Sequence, residues 1–300
     1  MSVVVFNNCP MIRDAMQLLD ARSAQQRTFL CCGLDPDVAR LPIDIIEKTA
    51  NKEEAIFRFL TEFIDISVDY ASAYKAQKAF YDLHDGGHRI LREIINYIHV
   101  RYPEVPVFVD CKIGDIDNTM QSYLGDILGS MKADGVVVNP YMGDEVIKPF
   151  AKAADKACIV LVRTSNPGSA ITQELLLENG LSLWQHILSL VVERWNTAGN
   201  MIPVLAATHP NINWGGIRKS IPDTMPVLIA GFGAQGGTLS NISDLLNSNG
   251  TGILINSSRA LMYPFIPTDR NWREAIRDNV RITNQNINQV LRQSGIDKRS

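Results

Sequence analysis

The stretch Val105-Pro-Val-Phe-Val-Asp110-Cys-Lys112-Ile-Gly-Asp115 joins an apolar run to a cluster of charged residues. A continuous apolar run of this length is typical of a parallel β-strand that is covered on both faces. Charged side chains directly after such a strand are unusual, because charges are rarely buried unless they are paired. The stretch therefore predicts a buried strand that delivers Asp110, Lys112 and Asp115 to one end of a sheet.

Similar apolar runs recur along the chain, and segments with helical spacing separate them. The predicted strands are 29–33, 71–79, 105–110, 135–139, 157–164, 202–207, 225–231 and 252–256. Helices are predicted at 54–68, 89–100, 183–195 and 239–246. A strand-then-helix unit that is repeated about eight times predicts an α/β fold of the (β/α)8 or TIM barrel type. A doubly wound open sheet is the competing α/β arrangement.

The chain is expected to form one domain. It has 300 residues, of which 46% are hydrophobic, and no linker or charge block divides it. We expect a single barrel domain over residues 1–300. A helix at about 11–25 is expected to lead into the barrel, and a helix at about 271–292 is expected to close it.

Composition argues against several classes of function. The formal net charge of −3 gives no general attraction to nucleic acid or anionic lipid, and aromatic residues make up only 7% of the chain. No apolar run approaches the roughly 18 residues of a membrane span, and the N-terminus lacks a signal-peptide pattern. The five cysteines show no Cys-x-x-Cys spacing, which argues against a disulfide framework or a cysteine-based zinc site. We therefore expect a cytoplasmic protein.

Charged residues also follow the first two predicted strands. Asp35 comes directly after the first strand, and Lys75 lies near the end of the second. Catalytic groups of (β/α)8 barrels lie at the carboxyl ends of the strands. Neighbouring strands are about 4.8 Å apart, so Lys75 is expected beside Asp110, and residues i and i+2 share a face, which adds Lys112. Two lysines among aspartates at one rim are better explained by chemistry than by structural ion pairs.

Such an arrangement favours proton transfer over Schiff-base chemistry. Carboxylates beside Lys112 favour its ammonium form, which is a good proton donor but a poor nucleophile. An aspartate next to a substrate carboxylate repels it, and this repulsion disappears when CO₂ leaves. The ammonium also stabilises negative charge that develops on a nearby carbon.

These residues resemble the signature of the orotidine 5′-phosphate decarboxylase family, in its longer bacterial-type branch. The main match is Asp110-x-Lys112-x-x-Asp115-Ile-x-x-Thr119. Supporting motifs follow in order along almost the whole chain: Cys32-Gly-Leu-Asp35-Pro-Asp37, Lys75-Ala-Gln77-Lys-Ala-Phe80, Val138-Asn-Pro-Tyr141-Met-Gly143, Arg163-Thr-Ser165-Asn166-Pro167, Ala206-Ala-Thr208, Gly231-Phe-Gly-Ala-Gln235-Gly-Gly237 and Asn256-Ser-Ser-Arg259. Ala230 stands where the family has a proline before the glycine-rich loop, so the stiffness of the backbone there is expected to differ.

The resemblance implies a barrel that converts orotidine 5′-monophosphate to UMP and CO₂ without a metal or another cofactor. Lys112 would protonate C6 of the pyrimidine as CO₂ departs, and Asp110 would lie against the departing carboxylate. Lys75 would complete the charged array and contact the ribose, as would Asp35.

The resemblance also implies the remaining contacts. The family completes its active sites across a homodimer, so Asp115 and Thr119 would come from the partner subunit. Ser165 would read the amide edge of the pyrimidine, and Gln235 and Arg259 would hold the phosphate. The residues themselves support a phosphate site, because barrels bind phosphate with the loops after strands 7 and 8, and a glycine-rich turn lets backbone N–H groups approach an anion.

Two rival functions remain open at this point. A sugar-phosphate aldolase or decarboxylase of the same barrel group, such as hexulose-phosphate synthase, has a similar Asp-x-Lys-x-x-Asp stretch but uses a divalent metal. A non-catalytic nucleotide-binding barrel would keep only the phosphate site. The complete set of charged residues argues against the second rival.

Two further motifs resemble ligand sites but are not expected to bind a metal or a dinucleotide. Asp82-Leu-His84-Asp-Gly-Gly-His88 has metal-like spacing, but its two glycines would break a helix, so a polar loop is expected. Gly231-x-Gly-x-x-Gly236 matches a dinucleotide fingerprint, but it does not lie in a first βα unit. His209 is expected near the barrel rim, and no role is assigned to Asp117.

Overall fold

The computed structural model describes residues 13–208, 212–231 and 242–293. Eight parallel strands close into a barrel in sequence order, and the eighth strand pairs with the first. The strands are β1 (Leu30–Gly33), β2 (Ala71–Gln77), β3 (Val107–Ile113), β4 (Gly135–Val138), β5 (Ala157–Leu161), β6 (Met201–Ala206), β7 (Val227–Ala230) and β8 (Ile253–Ser257). The predicted (β/α)8 barrel is confirmed, and the open doubly wound sheet is excluded.

Helices surround the barrel. The longer helices of the described residues are α1 (Ala15–Gln26), α2 (Lys52–Ser67), α3 (Gly87–Arg101), α4 (Asp117–Leu124), α5 (Leu183–Leu190), α6 (Trp214–Ser220) and α7 (Trp272–Gln293). Shorter helical segments occur at Ile43–Ile46, Ala79–Asp82, Asp144–Ile147, Ala170–Gln173 and Arg259–Met262, and π-helical turns at Gly125–Ser130 and Val191–Trp195 extend α4 and α5. Among the residues that the structure describes, every helix is too short or too polar to span a bilayer.

Some predicted boundaries differ from the observed ones. Residues 239–241 of the predicted helix at 239–246 lie outside the described residues, and Ile242–Leu245 forms a 3₁₀ turn. The lead-in helix begins only after Asp14, because the Asp14 carboxylate accepts hydrogen bonds from two backbone N–H groups of its first turn. The third strand runs to Ile113 rather than ending at residue 110.

Two sets of buried side chains form the core. The larger set lies between the strands and the surrounding helices. The smaller set fills the barrel and includes Cys31, Ala73, Phe108, Val137, Ile159, Ile202, Val204, Leu228 and Leu254. Ala15 and Leu19 of α1 pack against this inner set. The α1 helix therefore covers the amino-terminal end of the barrel, which leaves the carboxyl end for a site.

Asp134, directly before β4, ties the lead-in segment to the barrel. Its fully buried carboxylate accepts hydrogen bonds from Arg13 Nε at 2.9 Å and from the backbone N–H of Val107 at 2.9 Å. His99 Nε2 lies 3.1 Å from the same carboxylate. Burial raises the pKa of Asp134, but the hydrogen bonds from His99 and Arg13 outweigh burial and lower the pKa to about 2.

Asp134→Ala is expected to lower the free energy of unfolding by about 3–5 kcal/mol at pH 7, because it leaves the partners of a buried ion pair unsatisfied. The folded pKa of about 2 lies below the ordinary value, so this stabilisation is present above about pH 4 and is lost as the pH falls toward 2. Urea unfolding at pH 7 and pH 3 measures the effect. The difference in free energy of unfolding between wild type and variant should be smaller at pH 3 than at pH 7. An equal difference at both pH values would contradict this account.

Candidate active site

A cavity of about 180 Å³ lies at the carboxyl ends of the strands. Its polar lining includes Lys75, Asp110, Lys112 and Ser165, which the sequence singled out. Its apolar lining is Val137, Leu161, Val204, Leu228 and Ala230. Charged and apolar surfaces thus share one small cavity, in the place where barrel enzymes hold their catalytic groups.

Asp110 is held between two ammonium groups. Lys75 Nζ donates to Asp110 Oδ2 at 2.8 Å, and Lys112 Nζ donates to Asp110 Oδ1 at 2.8 Å. The Lys75 and Asp110 side chains are 7% and 8% exposed, whereas that of Lys112 is 46% exposed. The structure therefore brings together residues 75, 110 and 112, with Lys112 as the member that solvent and ligands can reach.

The charges of these groups reinforce each other. Burial raises the pKa of Asp110, but the ammonium groups of Lys75 and Lys112 outweigh burial and lower it below its ordinary value. Burial lowers the pKa of Lys75, but the carboxylates of Asp110 and Asp35 outweigh burial and raise it above its ordinary value. At neutral pH Asp110 is therefore ionised and Lys75 is protonated.

Lys112 reaches Asp110 from a bulge in β3. Asp110 pairs with Val137 of β4, but the next pair joins Ile113 to Val138, so β3 carries two extra residues at this point. Lys112 has a φ of 47°, in the left-handed region that non-glycine residues rarely adopt. The bulge, rather than a regular strand, therefore brings Lys112 to the cavity that Asp110 also lines.

The register around the barrel arranges the lining in two layers, each built from alternate strands. One residue from each even-numbered strand forms the floor of the cavity: Lys75, Val137, Val204 and Asn256. The layer above it comes from the odd-numbered strands: Gly33, Asp110, Leu161 and Ala230. The charged groups lie on the side of β1 to β3, and the apolar groups lie on the side of β4 to β6.

Asp35 directly follows β1 and is fixed by its neighbours. Its Oδ1 accepts a hydrogen bond from the backbone N–H of Gln77 at 3.1 Å, and its Oδ2 accepts one from the hydroxyl of Ser258. Its charge contributes to the raised pKa of Lys75. Asp35 thus extends the charged array toward β8.

Ser165 lines the cavity from the segment that follows β5, and the buried Arg163 holds this segment. Arg163 donates from Nε to Glu174 Oε1 at 2.8 Å and from Nη1 to Gln173 Oε1 at 2.9 Å. Gln173 Oε1 also accepts the backbone N–H of Thr164 at 2.9 Å. The sequence motif contains Arg163, but sequence reasoning assigned it no role.

Asp115 and Thr119 lie outside the lining of the cavity within this chain. The Asp115 carboxylate accepts a hydrogen bond from the backbone N–H of Ile116 at 2.8 Å. Thr119 is exposed on α4. The structure therefore does not bring these two predicted site residues into the cavity.

The predicted phosphate ligands are only partly described. Arg259 is exposed at the start of the short helix that follows β8, and Gly231 lines the cavity. Gln235 and His209 lie outside the described residues. Arg259 and Gly231 therefore mark the β7–β8 side of the rim.

Residues 83–86 form the polar turn that leads into α3, but α3 begins at Gly87 and already contains His88. His88 Nε2 lies 2.9 Å from Asp126 Oδ1. In the part of the chain that the structure describes, no group of three His, Cys, Asp or Glu side chains is arranged to hold a metal ion.

A closed (β/α)8 barrel with a Lys-Asp-Lys array at its carboxyl rim is the arrangement of an enzyme of the barrel class. The sequence model of the orotidine 5′-phosphate decarboxylase / HUMPS family matches residues 28–259. The chain belongs to this family, and the predictions of the family and of an enzyme are confirmed.

Named relatives agree with the family match. Proteins named orotidine 5′-phosphate decarboxylase from Bordetella petrii and a Janthinobacterium species are 37% and 38% identical to this chain. Each comparison covers 92% of this chain and 98% of the relative. The structure of the Leishmania donovani OMP decarboxylase has a TM-score of 0.76 and 28% identity, over 93% of this chain and 99% of that chain.

Proposed function

We propose that this protein decarboxylates orotidine 5′-monophosphate to UMP and CO₂ in pyrimidine biosynthesis. The observation that carries the proposal is the Asp110 carboxylate, held at 2.8 Å by two ammonium groups beside an apolar cavity wall. The names of the relatives support this choice of substrate. The array supplies the charges that a decarboxylation needs without an additional electrophile, so we propose that the reaction uses no metal or other cofactor.

In the proposed reaction the C6–carboxylate bond breaks and its electron pair stays on C6. The fixed negative charge of Asp110 faces the substrate carboxylate, and their repulsion is relieved as CO₂ forms. Neutral CO₂ leaves toward the apolar side of the cavity, where Val137, Leu161 and Val204 lie.

Lys112 then gives its proton to C6. Its ammonium stabilises the negative charge as the charge develops, and the transfer leaves a neutral amine. The Lys112 side chain is 46% exposed, which allows the amine to take up a new proton from solvent. Lys75, which is buried and bonded to Asp110, holds that carboxylate in place and faces the ribose together with Asp35.

The other substrate contacts follow the layout of the rim. We assign the amide edge of the pyrimidine to Ser165, on the β5 side of the cavity. We assign the phosphate to Arg259 and Gln235 with the glycine-rich loop after β7. An arginine offers a fixed fork of N–H donors that suits phosphate oxygens.

Arg259→Ala is expected to weaken UMP binding by about 10- to 100-fold, the size of a hydrogen bond to a charged group. Binding of uridine, which lacks the phosphate, should change by less than about twofold. Isothermal titration calorimetry with both ligands measures the difference. Equal weakening for UMP and uridine would contradict the phosphate role.

We also propose that the active enzyme is a homodimer, in which Asp115 and Thr119 reach the partner's cavity. The segments that carry them lie at the carboxyl rim and leave large apolar side chains exposed nearby, namely Ile116, Tyr123, Tyr141 and Met142. Tyr141 is 91% exposed. Exposed apolar groups of this kind are typical of protein interfaces.

A mixture of two inactive variants is expected to regain activity if the sites are shared. Lys112→Ala subunits retain Asp115, and Asp115→Ala subunits retain Lys112, so each mixed dimer contains one intact site. Equal amounts that have exchanged subunits should reach about a quarter of wild-type activity, because about half of the dimers are mixed. Differently tagged subunits report the exchange. No recovery in a mixture with proven exchange would contradict the shared site.

The central test follows the loss of orotidine 5′-monophosphate by ultraviolet absorbance, before and after exhaustive EDTA treatment. We expect turnover that EDTA does not change. Turnover that is lost with EDTA and restored by a divalent metal would favour the metal-dependent sugar-phosphate rival. Binding of UMP without turnover would favour the non-catalytic rival.

A further inference from the structure

Asn256 places an amide group in the floor of the active-site cavity. It lies on β8, pairs with Cys31 of β1 and lines the same cavity as Lys75 and Asp110. Its Oδ1 is buried and accepts no hydrogen bond from any described residue. A buried polar atom without a partner costs free energy, which an apolar residue such as Val204 in the same layer avoids. This cost indicates that a group of the bound ligand donates a hydrogen bond to the amide oxygen.

The register shows which part of the cavity the amide faces. Lys75 and Asn256 belong to the same floor layer, and only β1 separates their strands. Asp35 follows β1, and its bond with Ser258 links the end of β1 to the end of β8. The β8–β1–β2 side of the cavity is therefore polar, whereas Val137 and Val204 make the opposite side apolar.

The proposed substrate fits this division in one orientation. Arg259 and Gly231 mark the phosphate end, and Lys112 marks the reacting carbon of the pyrimidine. The sugar joins these two ends, so it lies over the polar side. A sugar hydroxyl both donates and accepts hydrogen bonds, so it can pair with either the oxygen or the N–H₂ group of an amide.

We infer that Asn256 contacts a ribose hydroxyl of the nucleotide and helps the enzyme to select ribonucleotides over deoxyribonucleotides. The inference rests on the proposed function, because it takes the nucleotide as substrate. It adds a specificity-determining residue on β8 to the sugar contacts assigned to Asp35 and Lys75.

The test compares binding of UMP, 2′-deoxyUMP and 3′-deoxyUMP to wild type and to Asn256→Leu, which keeps a similar volume without the amide. For the hydroxyl that Asn256 contacts, the preference for UMP over the deoxy ligand should fall by about tenfold, the size of one hydrogen bond. Asn256→Ala is measured in parallel, in case leucine disturbs folding. Val204→Ala is the control, because it removes volume from the same layer on the apolar side and should leave both preferences unchanged.

The inference is overturned if both preferences stay within about twofold of wild type in the Asn256 variants, or if Val204→Ala lowers them equally. Failure of the proposed function has a different signature, since wild type would then not consume orotidine 5′-monophosphate, whether or not it binds UMP.

Discussion

Lys112→Ala is expected to lower turnover of orotidine 5′-monophosphate by about 10⁵-fold and to leave the barrel folded. Loss of a positioned proton donor typically costs about 10²–10⁴ in rate, and loss of a charge that stabilises the transition state costs about 10²–10³ more. Stability should change little, because the Lys112 side chain is 46% exposed and Asp110 keeps its bond with Lys75. Ultraviolet absorbance measures the rate, and thermal unfolding monitors the fold.

One further variant separates charge from proton transfer, and a second serves as the control. Lys112→Arg keeps a positive charge but cannot give up a proton readily, so it should remain strongly impaired. Lys48→Ala removes an exposed lysine outside the cavity lining, whose Nζ lies 3.9 Å from Asp44 Oδ2. Its turnover should stay near that of wild type. Near-normal turnover in Lys112→Ala would remove this residue from the role of proton donor.

The barrel was predictable because its signals are local. Each strand core is a short apolar run, and the charged residues follow these runs directly, as at Asp35 and Asp110. In a parallel barrel all carboxyl ends meet at one rim, so residues far apart in sequence could be placed together without knowledge of the packing.

The bulge at Lys112 was not predictable in the same way. It arises where the pairing of β3 with β4 shifts, and such a shift depends on contacts between two strands rather than on the sequence of one. The sequence could therefore predict that Lys112 lies close to Asp110, but not the backbone geometry that brings it there. The left-handed backbone of Lys112 carries no signal in its residue type.

Asn256 and Arg163 were quoted within motifs, but their environments needed the three-dimensional structure. The place of Asn256 in the same layer as Lys75 follows from the stagger between successive strands, which accumulates around the whole barrel. Two partners of Arg163, Gln173 and Glu174, lie at the end of a short helix, and no periodic pattern in the sequence predicts where this helix packs. Both cases depend on contacts that a one-dimensional pattern does not specify.

Asp110→Ala is expected to damage activity and stability together, because Asp110 is the common partner of two cations. Turnover should fall by at least about 10³-fold, since Lys112 loses the bond that orients it and the substrate carboxylate loses its repulsive neighbour. The free energy of unfolding should fall by about 3–5 kcal/mol at pH 7, because the buried Lys75 ammonium loses its ion-pair partner.

The pH dependence of this destabilisation identifies Lys75 as its source. In wild type the pKa of Lys75 is raised, so its stabilising charge is present at neutral pH and is lost only above the ordinary lysine range. In Asp110→Ala, burial acts without the main opposing carboxylate and lowers the pKa of Lys75, so the penalty of a buried charge shrinks as the pH rises toward 10.

Urea unfolding measures this pH dependence. The difference in free energy of unfolding between wild type and Asp110→Ala should be larger at pH 7 than at pH 10. Asp110→Asn keeps a hydrogen-bond acceptor for Lys75, so it should be less destabilised than Asp110→Ala. Its turnover of orotidine 5′-monophosphate should still be slow. If the difference in free energy of unfolding between wild type and Asp110→Ala does not depend on pH, packing rather than the Lys75 charge accounts for the lost stability.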